Sequence, residues 1–372
     1  MARTKLTQRN DGRYKTVYKG KQFYGKTQKE AIKKRDEYIA NERAGLKLDE
    51  TSLVDYGLKW LGVYRTQCNS RQLKQYENMI RFTGERLDKP LCLITATDLQ
   101  SVVNSLSVYS ASHIDKFLTT LRGIFKTAAA EGSIARNPME LVKRPKCKKT
   151  EGHRALEQWE RDLICSTYCE HDFGPVAMLM LYAGLRRGEA LYIDIDRDVD
   201  FDNHLVFVRG AVSFSGGNQP TETEGKTVNA TRTVPLAKPL ADALRNKHGL
   251  ISPKKNGELM SETAFNRKYE SYITFLETKL NGCHKRWYGR TKEHKELIAK
   301  GQPLPPWKEV TIRCHDFRVD FCTRCYYADI PPKVLQSWMG HSSMNMILNV
   351  YAKLTKEEEE KNAAKLTKFF EE

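Results

Sequence analysis

The stretch ASHIDKFLTTLRGIFKTAAAEG, residues 111–132, decides the fold class of the segment around it. Its apolar residues recur at three- and four-residue spacing, which predicts an amphipathic helix that buries one face. Gly132 follows the last apolar residue and is a natural C-terminal cap, because glycine adopts a positive φ without strain. The predicted apolar stripe consists of Ile114, Phe117, Leu118, Leu121, Ile124, Phe125 and Ala128.

Helical patterns on both sides of this stretch predict an all-α domain over residues 53–144. Asn137-Pro138 breaks the chain near its end, and the following basic segment contains a proline, so residues 145–154 are predicted to be a linker. Lys143, Arg144 and Lys146 are candidates for tracking a phosphate backbone as a strap between two domains.

Residues 1–47 are strongly basic, with 14 Lys and Arg against 5 Asp and Glu. Inside them, RYKTVYKGKQFYGKTQKEA indicates short strands joined by a turn at Lys19-Gly20. Thr27 then begins a helix, with Glu30 three residues later as a capping box. The segment is predicted to form a ββ(β)α module of two or three strands and one helix.

Basic and aromatic residues interleave in this N-terminal module, which is typical of a sheet that lies against nucleic acid. The alternative is a small solvated domain with a basic face. The candidate DNA-binding residues are Arg13, Lys15, Lys19, Lys21 and Lys26.

Residues 155–372 combine long helical patterns with one β-patterned region. HLVFVRGAV (204–212) and TRTVPLA (231–237) are predicted strands, and the polar stretch between them is predicted to be rich in turns. That stretch contains Gly225-Lys226-Thr227, which is similar to the end of a P-loop. Pro220 stands where the P-loop requires its first glycine, so nucleotide binding is excluded.

The bulk composition favours a polyanionic partner, since 62 Lys and Arg against 46 Asp and Glu give a net charge of +16. The N-terminus lacks the apolar region of a signal peptide, and the apolar run at 175–185 is too short to span a bilayer. The nine cysteines are expected to be reduced thiols, with Cys322 and Cys325 as a helix-borne pair of small apolar residues. A cytoplasmic protein is predicted.

Several polar groups stand in apolar helical surroundings in the C-terminal half. Arg186 and Arg187 directly follow an apolar run, and His315 and Arg318 are three residues apart, hence on one helix face. An arginine beside an apolar helix must find an anion or a carboxylate. Taken alone, each of these residues is more often structural than functional.

Taken together, six polar positions occur in a fixed order that resembles the tyrosine recombinase (phage-type integrase) family. GLRRGE resembles the first-arginine box, KTVNATRTVPL the β-hairpin lysine segment, HDFR the H-x-x-R box, and GHSSMNMILNVY the Gly-His…Tyr box. The matching positions are Arg186, Lys226, His315, Arg318, His341 and Tyr351.

The resemblance implies that Tyr351 is a nucleophile that attacks a DNA phosphate. A tyrosine hydroxyl has an unperturbed pKa of ~10, so it needs a base or positive surroundings at neutral pH. The resemblance assigns Arg186 and Arg318 to the non-bridging phosphate oxygens, and it assigns a further hydrogen bond to His341.

Three further roles follow from the same resemblance. Lys226 would protonate the leaving 5′-oxygen as a general acid. His315 would accept the tyrosine proton or bind the phosphate. Glu189 would orient its neighbours, although a purely structural role is equally open. The product would be a 3′-phosphotyrosyl link, and neither a metal nor ATP nor another cofactor is implied.

The implied architecture is multidomain and mainly α with small β-sheets. It comprises an arm-type DNA-binding domain (1–47), a helical, SAM-like core-binding domain (53–144), the linker (145–154) and a catalytic domain (155–372). The implied partners are double-stranded DNA with core-type and arm-type sites and further copies of the chain in a homotetramer. A DNA-bending host protein and an excision factor are additional candidates. In a prokaryotic cytoplasm the protein would associate with the nucleoid when acting.

Two features depart from the family pattern. Val319 follows the second arginine where relatives often carry a histidine, and residues 283–309 are longer than the usual connection before the H-x-x-R box. Two alternative functions use the same features: a type IB topoisomerase-like enzyme that relaxes DNA, and a catalytically silent DNA-binding regulator. Two DNA-binding modules ahead of the catalytic part favour recombination over relaxation.

Overall fold

The computed structural model describes residues 6, 8–43, 51–87, 89–147, 152–214, 218–224, 231–254 and 256–340. Three of the predicted catalytic residues, Lys226, His341 and Tyr351, lie outside these ranges. The chain divides into two compact units, Met1–Glu151 and Gly152–Glu372. The domain boundaries given above stay predictions.

The N-terminal module consists of a hairpin and one helix: β1 Tyr14–Tyr18, β2 Lys21–Gly25 and α1 Gln28–Arg43. The predicted turn is confirmed, because Tyr18 pairs with Lys21 and both intervening residues have positive φ, 46° at Lys19 and 83° at Gly20. Positive φ at both central residues is what a two-residue hairpin turn requires. In the described part of the module, an isolated bridge between Gln8 and Tyr14 takes the place of a third strand.

The helix of this module begins where the sequence predicted. The Thr27 Oγ1 accepts a hydrogen bond from the Glu30 backbone N–H at 3.2 Å. The Glu30 carboxylate accepts a hydrogen bond of 2.8 Å from the backbone N–H of Lys26, one residue before the position of a standard capping box. Two otherwise unsatisfied N–H groups are bound in this way.

The rest of the first unit is helical, as expected. The α-helices in its described residues are α2 Leu53–Tyr64, α3 Ser70–Leu87, α4 Ala96–Asn104 and α5 Ala111–Ala130. Every residue of the predicted stripe on α5 is buried, and α5 packs against α2 and α3. Gly132 has a φ of 76°, which confirms its place beyond the helix end.

Where the structure describes it, the second unit is mainly helical with two small antiparallel sheets. One sheet has the order β3-β4-β7 and the other pairs β5 with β6. Its helices are α6 Gln158–Thr167, α7 Gly174–Ala183, α8 Arg187–Tyr192, α9 Ile195–Asp198, α10 Lys238–Leu244, α11 Glu262–Asn281, α12 Lys292–Ala299, α13 Cys314–Tyr327 and α14 Pro332–Met339. Its strands are β3 Val199–Asp200, β4 Leu205–Val208, β5 Gly210–Ser213, β6 Thr221–Glu224 and β7 Arg232–Pro235.

Helix α7 forms the centre of this unit. Every residue in it except Tyr182 is buried, and α13 and α10 pack against it. A helix that is apolar on all sides must be covered on all sides. The residues that continue from its C-terminal end are therefore held in a fixed place.

The polar stretch between the predicted strands contains β6, which the sequence analysis assigned to turns. Two threonines explain why a polar segment forms this strand. The Thr221 and Thr223 hydroxyls donate to the Ser213 and Ala211 carbonyls of β5 at 3.1 and 2.8 Å. These side-chain bonds reinforce the ladder in which Gly210 pairs with Glu224.

The long connection before the H-x-x-R box holds a short helical turn, Lys285–Trp287, and α12. Cys322 and Cys325 lie on α13, as expected for a helix-borne pair. Among the described helices, none has both the length and the apolarity needed to cross a membrane.

Candidate active site

The first site arginine follows the sharp end of α7. Gly184 ends that helix with a φ of 61°, and the chain then extends through Arg186, which is the N-terminal cap of α8. A Cβ at Gly184 would lie 2.4 Å from the Phe321 ring of α13. Glycine is therefore needed here both for its positive φ and for close packing.

The arginines of the site surround the carboxylate of Glu189. Its carboxylate accepts from Arg186 Nη1 at 2.7 Å and from the Arg186 backbone N–H at 2.8 Å. Arg232 adds two bonds of 3.1 and 2.7 Å, and Arg318 Nη1 lies 3.9 Å away. Burial alone would raise the pKa of Glu189, but hydrogen bonds from Arg232 and the nearby guanidinium charges lower it to about 2. Glu189 is therefore ionised at neutral pH.

Arg318 is buried, with only 1% of its side chain exposed. Its Nη1 and Nη2 donate to the carbonyls of Gly184 and Met339. Burial, and then the charge of Arg186, lower the pKa of Arg318 to about 9, which still leaves it cationic at neutral pH. Carbonyls accept hydrogen bonds without cancelling the positive charge.

The three arginines also bind three consecutive carbonyls at the end of α14. Arg232 Nε donates to Trp338 at 2.6 Å, Arg318 Nη2 to Met339, and Arg186 Nη2 to Gly340 at 3.3 Å. The last carbonyls of a helix have no partners within the helix, so they are ready acceptors. The C-terminal end of α14, up to Gly340, is thus bound to the arginine cluster.

Arg232 is a site residue that the sequence analysis missed. It is buried on β7, on the same face as Val234, where the burial alternates along the strand. A signal for it was present, because the predicted strand TRTVPLA places Arg232 and Val234 on one face by the two-residue period. An arginine at an inward position needs a buried carboxylate, and Glu189 supplies one.

His315 lies in the first turn of α13, as predicted, with Arg318 one turn further along. Partial burial of its ring, and then His153, Arg318 and Arg186, lower the pKa of His315 to about 4. The residue remains accessible to solvent and is neutral at pH 7. A neutral imidazole can accept a proton or a hydrogen bond.

His153 is a second residue that the sequence analysis did not select. Its ring centroid lies 4.6 Å from that of His315, with an angle of 64° between the ring planes. Its Nδ1 is 2.6 Å from Oδ1 of Asp316, which is fully buried. The sequence offers no local signal for this pairing, because the two residues are 163 positions apart.

The candidate DNA-binding residues of the N-terminal module lie in two different surroundings. Thr16 and Phe23 face α1, so the alternation of β1 places Lys15 and Val17 on the outer face. The guanidinium of Arg13 lies 5.7 Å from the Tyr24 ring, on the same outer side as Lys15.

The remaining candidates are engaged elsewhere or exposed. Lys19 forms a salt bridge of 3.1 Å with Glu42, and the Lys21 ammonium lies 4.4 Å from the Tyr38 ring of α1. Lys26 is exposed. In the basic segment after α5, Lys143 and Lys146 are exposed, whereas Arg144 binds Asp115 at 2.6 Å.

We predict that Gly184→Ala lowers the free energy of unfolding by roughly 1–3 kcal/mol. The added methyl group meets Phe321 and also forces alanine into a positive φ. Gly249→Ala is the matched control, because Gly249 has a φ of 64° with nothing within 4 Å of the added Cβ. Urea titration of both variants separates the cost of the positive φ from the cost of the contact with Phe321. Equal losses in free energy of unfolding would contradict a packing role for Gly184.

Comparison with known proteins adds a direct identification. The phage integrase family model matches residues 172–358, half of the chain. A tyrosine recombinase XerC-like protein of Caldanaerobacter subterraneus subsp. tengcongensis is 26% identical over 361 residues, covering 89% of this chain and 87% of that protein. The ICEBs1 integrase of Bacillus subtilis is 25% identical over 264 residues, covering 69% of this chain and 66% of that protein.

Solved structures agree on the fold. The Tn1549 transposon integrase in complex with a circular intermediate DNA aligns with a TM-score of 0.64 at 21% identity, covering 85% of this chain and 99% of that one. A lambda integrase tetramer bound to a Holliday junction aligns with a TM-score of 0.52 at 18% identity, covering 93% and 94%. From the matched half of the chain and these relatives, the chain belongs to the phage integrase family and is a tyrosine-type site-specific recombinase.

Proposed function

We propose that this recombinase cuts double-stranded DNA through attack by Tyr351 and rejoins it through a 3′-phosphotyrosyl intermediate, in integrating or excising a mobile element. The observation that supports this proposal most is the cluster of Arg186, Arg232 and Arg318 around Glu189. Three guanidinium groups share one carboxylate, so the cluster keeps an excess of positive charge where an anion can bind.

Arg186 and Arg318 are proposed to bind the scissile phosphate. The Arg186 side chain is 41% exposed, so DNA can reach it. Arg318 is buried beside it, and burial in a low-dielectric site strengthens its attraction for a phosphate. A fixed pair of guanidinium groups stabilises the charge that develops on the phosphorane transition state without reorganising during the reaction.

The proton transfers are assigned as follows. His315, neutral at pH 7, is proposed to take the Tyr351 phenol proton or to bind a phosphate oxygen. As the Tyr351 oxygen bonds to phosphorus, the bond from phosphorus to the 5′-oxygen breaks, and Lys226 donates a proton to that oxygen. His341 is proposed to donate a hydrogen bond to the phosphate.

Strand exchange then reverses these steps. A 5′-hydroxyl from another strand attacks the phosphotyrosyl phosphorus, and the Tyr351 oxygen leaves. The number of phosphoester bonds is unchanged, so rejoining consumes no ATP. The lambda integrase tetramer bound to a Holliday junction supports the proposal that four copies of this chain act together.

Further partners are proposed on the same basis. The Tn1549 and lambda integrases have been solved with DNA, which supports double-stranded DNA as the substrate. We propose that the N-terminal module binds arm-type sites and the first unit's helices bind core-type sites. A DNA-bending host protein and an excision factor would complete the assembly, which acts on the nucleoid in the cytoplasm.

We predict that the double variant Arg13→Ala, Lys15→Ala weakens arm-site binding and reduces the salt dependence of that binding. Each lost phosphate contact lowers the slope of log K against log salt by ~0.9, so a change of roughly 1–2 is expected. The measurement is fluorescence anisotropy with duplexes from the DNA that flanks the gene. The matched control is the double variant Lys29→Ala, Lys33→Ala on the exposed face of α1, which should leave the slope unchanged. Equal changes in slope for both double variants would contradict the assignment of DNA binding to the outer face of the hairpin.

The proposed reaction is tested with a nicked suicide duplex taken from the DNA that flanks the gene. Covalent cleavage should yield a protein–DNA adduct that survives denaturing electrophoresis. Two intact duplexes should also yield joint products. Failure to form any adduct would indicate a silent DNA-binding regulator, and relaxation of supercoiled DNA without joint products would indicate a topoisomerase-like enzyme.

A further inference from the structure

The chain that enters the second unit crosses the first turn of α13. The Gly152 carbonyl accepts a hydrogen bond from Arg313 Nη2, and the His153 ring lies against Asp316. Asp316 also accepts from the Arg313 backbone N–H at 2.9 Å and from Arg313 Nε at 3.2 Å. Gly152 and His153 are thus bound to the turn that carries His315.

The partner of His153 defines which ring nitrogen carries a hydrogen. Burial alone would raise the pKa of Asp316, but hydrogen bonds from the Arg313 backbone and from His153 outweigh it and hold that pKa below its usual range. An ionised carboxylate only accepts hydrogen bonds. Nδ1 of His153 is therefore the donor, and this bond fixes the plane and rotation of its ring.

The fixed ring of His153 meets His315 edge to face, at 4.6 Å between centroids. We propose that His153 is a positioning residue of the recombinase, which holds the His315 ring in the orientation needed to receive the tyrosine proton. The claim that His315 receives the tyrosine proton rests on the proposed function, whereas the coupling of His153 to His315 does not. Asp316 orients His153 by accepting its Nδ1 hydrogen bond, as carboxylates often do for functional histidines.

The charge state of His315 follows from what surrounds it. Within the described residues, it faces Arg186 at the start of α8, Arg318 and Asp316 on its own helix, and His153 from the segment before α6. After burial, His153 makes the largest contribution to lowering the pKa of His315, ahead of either arginine, while Asp316 opposes the shift. Removing the His153 ring should therefore make His315 easier to protonate.

The coupling is tested by NMR titration of the full chain labelled at its histidine rings, with His315 assigned from the His315→Gln spectrum. In the wild type, the pKa of His315 is expected near 4. In His153→Ala the pKa of His315 should rise towards the unperturbed ~6.5. His153→Asn retains a donor for Asp316 but lacks the ring, so it should show the same rise.

The matched control is a second histidine–aspartate pair on the surface. His248 Nδ1 lies 2.8 Å from Asp196 Oδ1, and 82% of the His248 side chain is exposed. His248→Ala should leave the His315 titration unchanged. An unchanged titration in both His153 variants would overturn the coupling; if His153→Ala fails to fold, His153→Asn decides the question alone.

The role in the reaction needs a kinetic readout. In adduct formation on the suicide duplex from the flanking DNA, His153→Ala should lower the rate at pH 7 by about tenfold. The acidic limb of the pH–rate profile should shift to higher pH together with the His315 pKa measured by NMR. DNA affinity should be unchanged. A normal rate and profile would overturn the positioning role, whereas absence of an adduct in the wild type would overturn the proposed function and leave the NMR result standing.

Discussion

Replacing Arg186 by alanine is expected to lower the rate of DNA cleavage by roughly 10²- to 10³-fold, the usual loss when one preorganised donor to a transition-state anion is removed. Arg186 is the accessible member of the cluster, and its guanidinium is held by Glu189 and the Gly340 carbonyl. The loss should appear in single-turnover adduct formation at saturating DNA, because the phosphate charge grows as the reaction proceeds.

The adjacent arginine provides a control for this prediction. The Arg187 guanidinium lies 3.7 Å from Glu262 and over the rings of Phe214 and Phe265, rather than at Glu189. Arg187→Ala should therefore leave the cleavage rate within a few-fold of wild type. A similar loss in both variants, or an Arg186→Ala defect confined to DNA affinity, would contradict the assignment of Arg186 to the transition state.

Replacing Arg232 by methionine is expected to destabilise the second unit by roughly 3–5 kcal/mol, as found when one partner of a buried ion pair is removed. The substitution fills similar space but removes two hydrogen bonds to the buried carboxylate of Glu189 and one to the end of α14. Urea titration followed by circular dichroism measures the loss.

A double variant and pH separate the charge effect from packing. Arg232→Met combined with Glu189→Gln should recover part of the loss, because the carboxylate left without Arg232 is neutralised. In the wild type, the lowered pKa of Glu189 contributes stability that is present above ~4.3 and is lost as the pH falls through about 2. The difference between wild type and Arg232→Met should therefore shrink below pH ~4; a constant difference would indicate a packing defect alone.

Much of the fold could be predicted from local sequence. The stripe on α5 and the cap at Gly132 depend on residues a few positions apart, and the structure confirms them. The hairpin turn at Lys19-Gly20 is equally local. By contrast, β6 is a polar strand whose register depends on β5 and on two threonine hydroxyls, so its own composition favoured turns.

The site was predicted less completely, for a related reason. Arg186 and Arg318 stood out because each is a charged residue in an apolar helical context, and the structure brings both to Glu189. Arg232 and His153 have meaning only through partners far along the chain, Glu189 and Asp316. A single sequence records no such pairing, although the inward position of Arg232 on its strand was readable.

The central claim, that Tyr351 forms the covalent link to DNA, is tested most directly by identifying the linked residue. The adduct formed on the suicide duplex is digested with nuclease and protease, and the nucleotide-bearing peptide is sequenced by mass spectrometry. The account predicts that the modification lies on Tyr351 and that Tyr351→Phe forms no adduct. Attachment at any other residue, or an adduct from Tyr351→Phe, would contradict it.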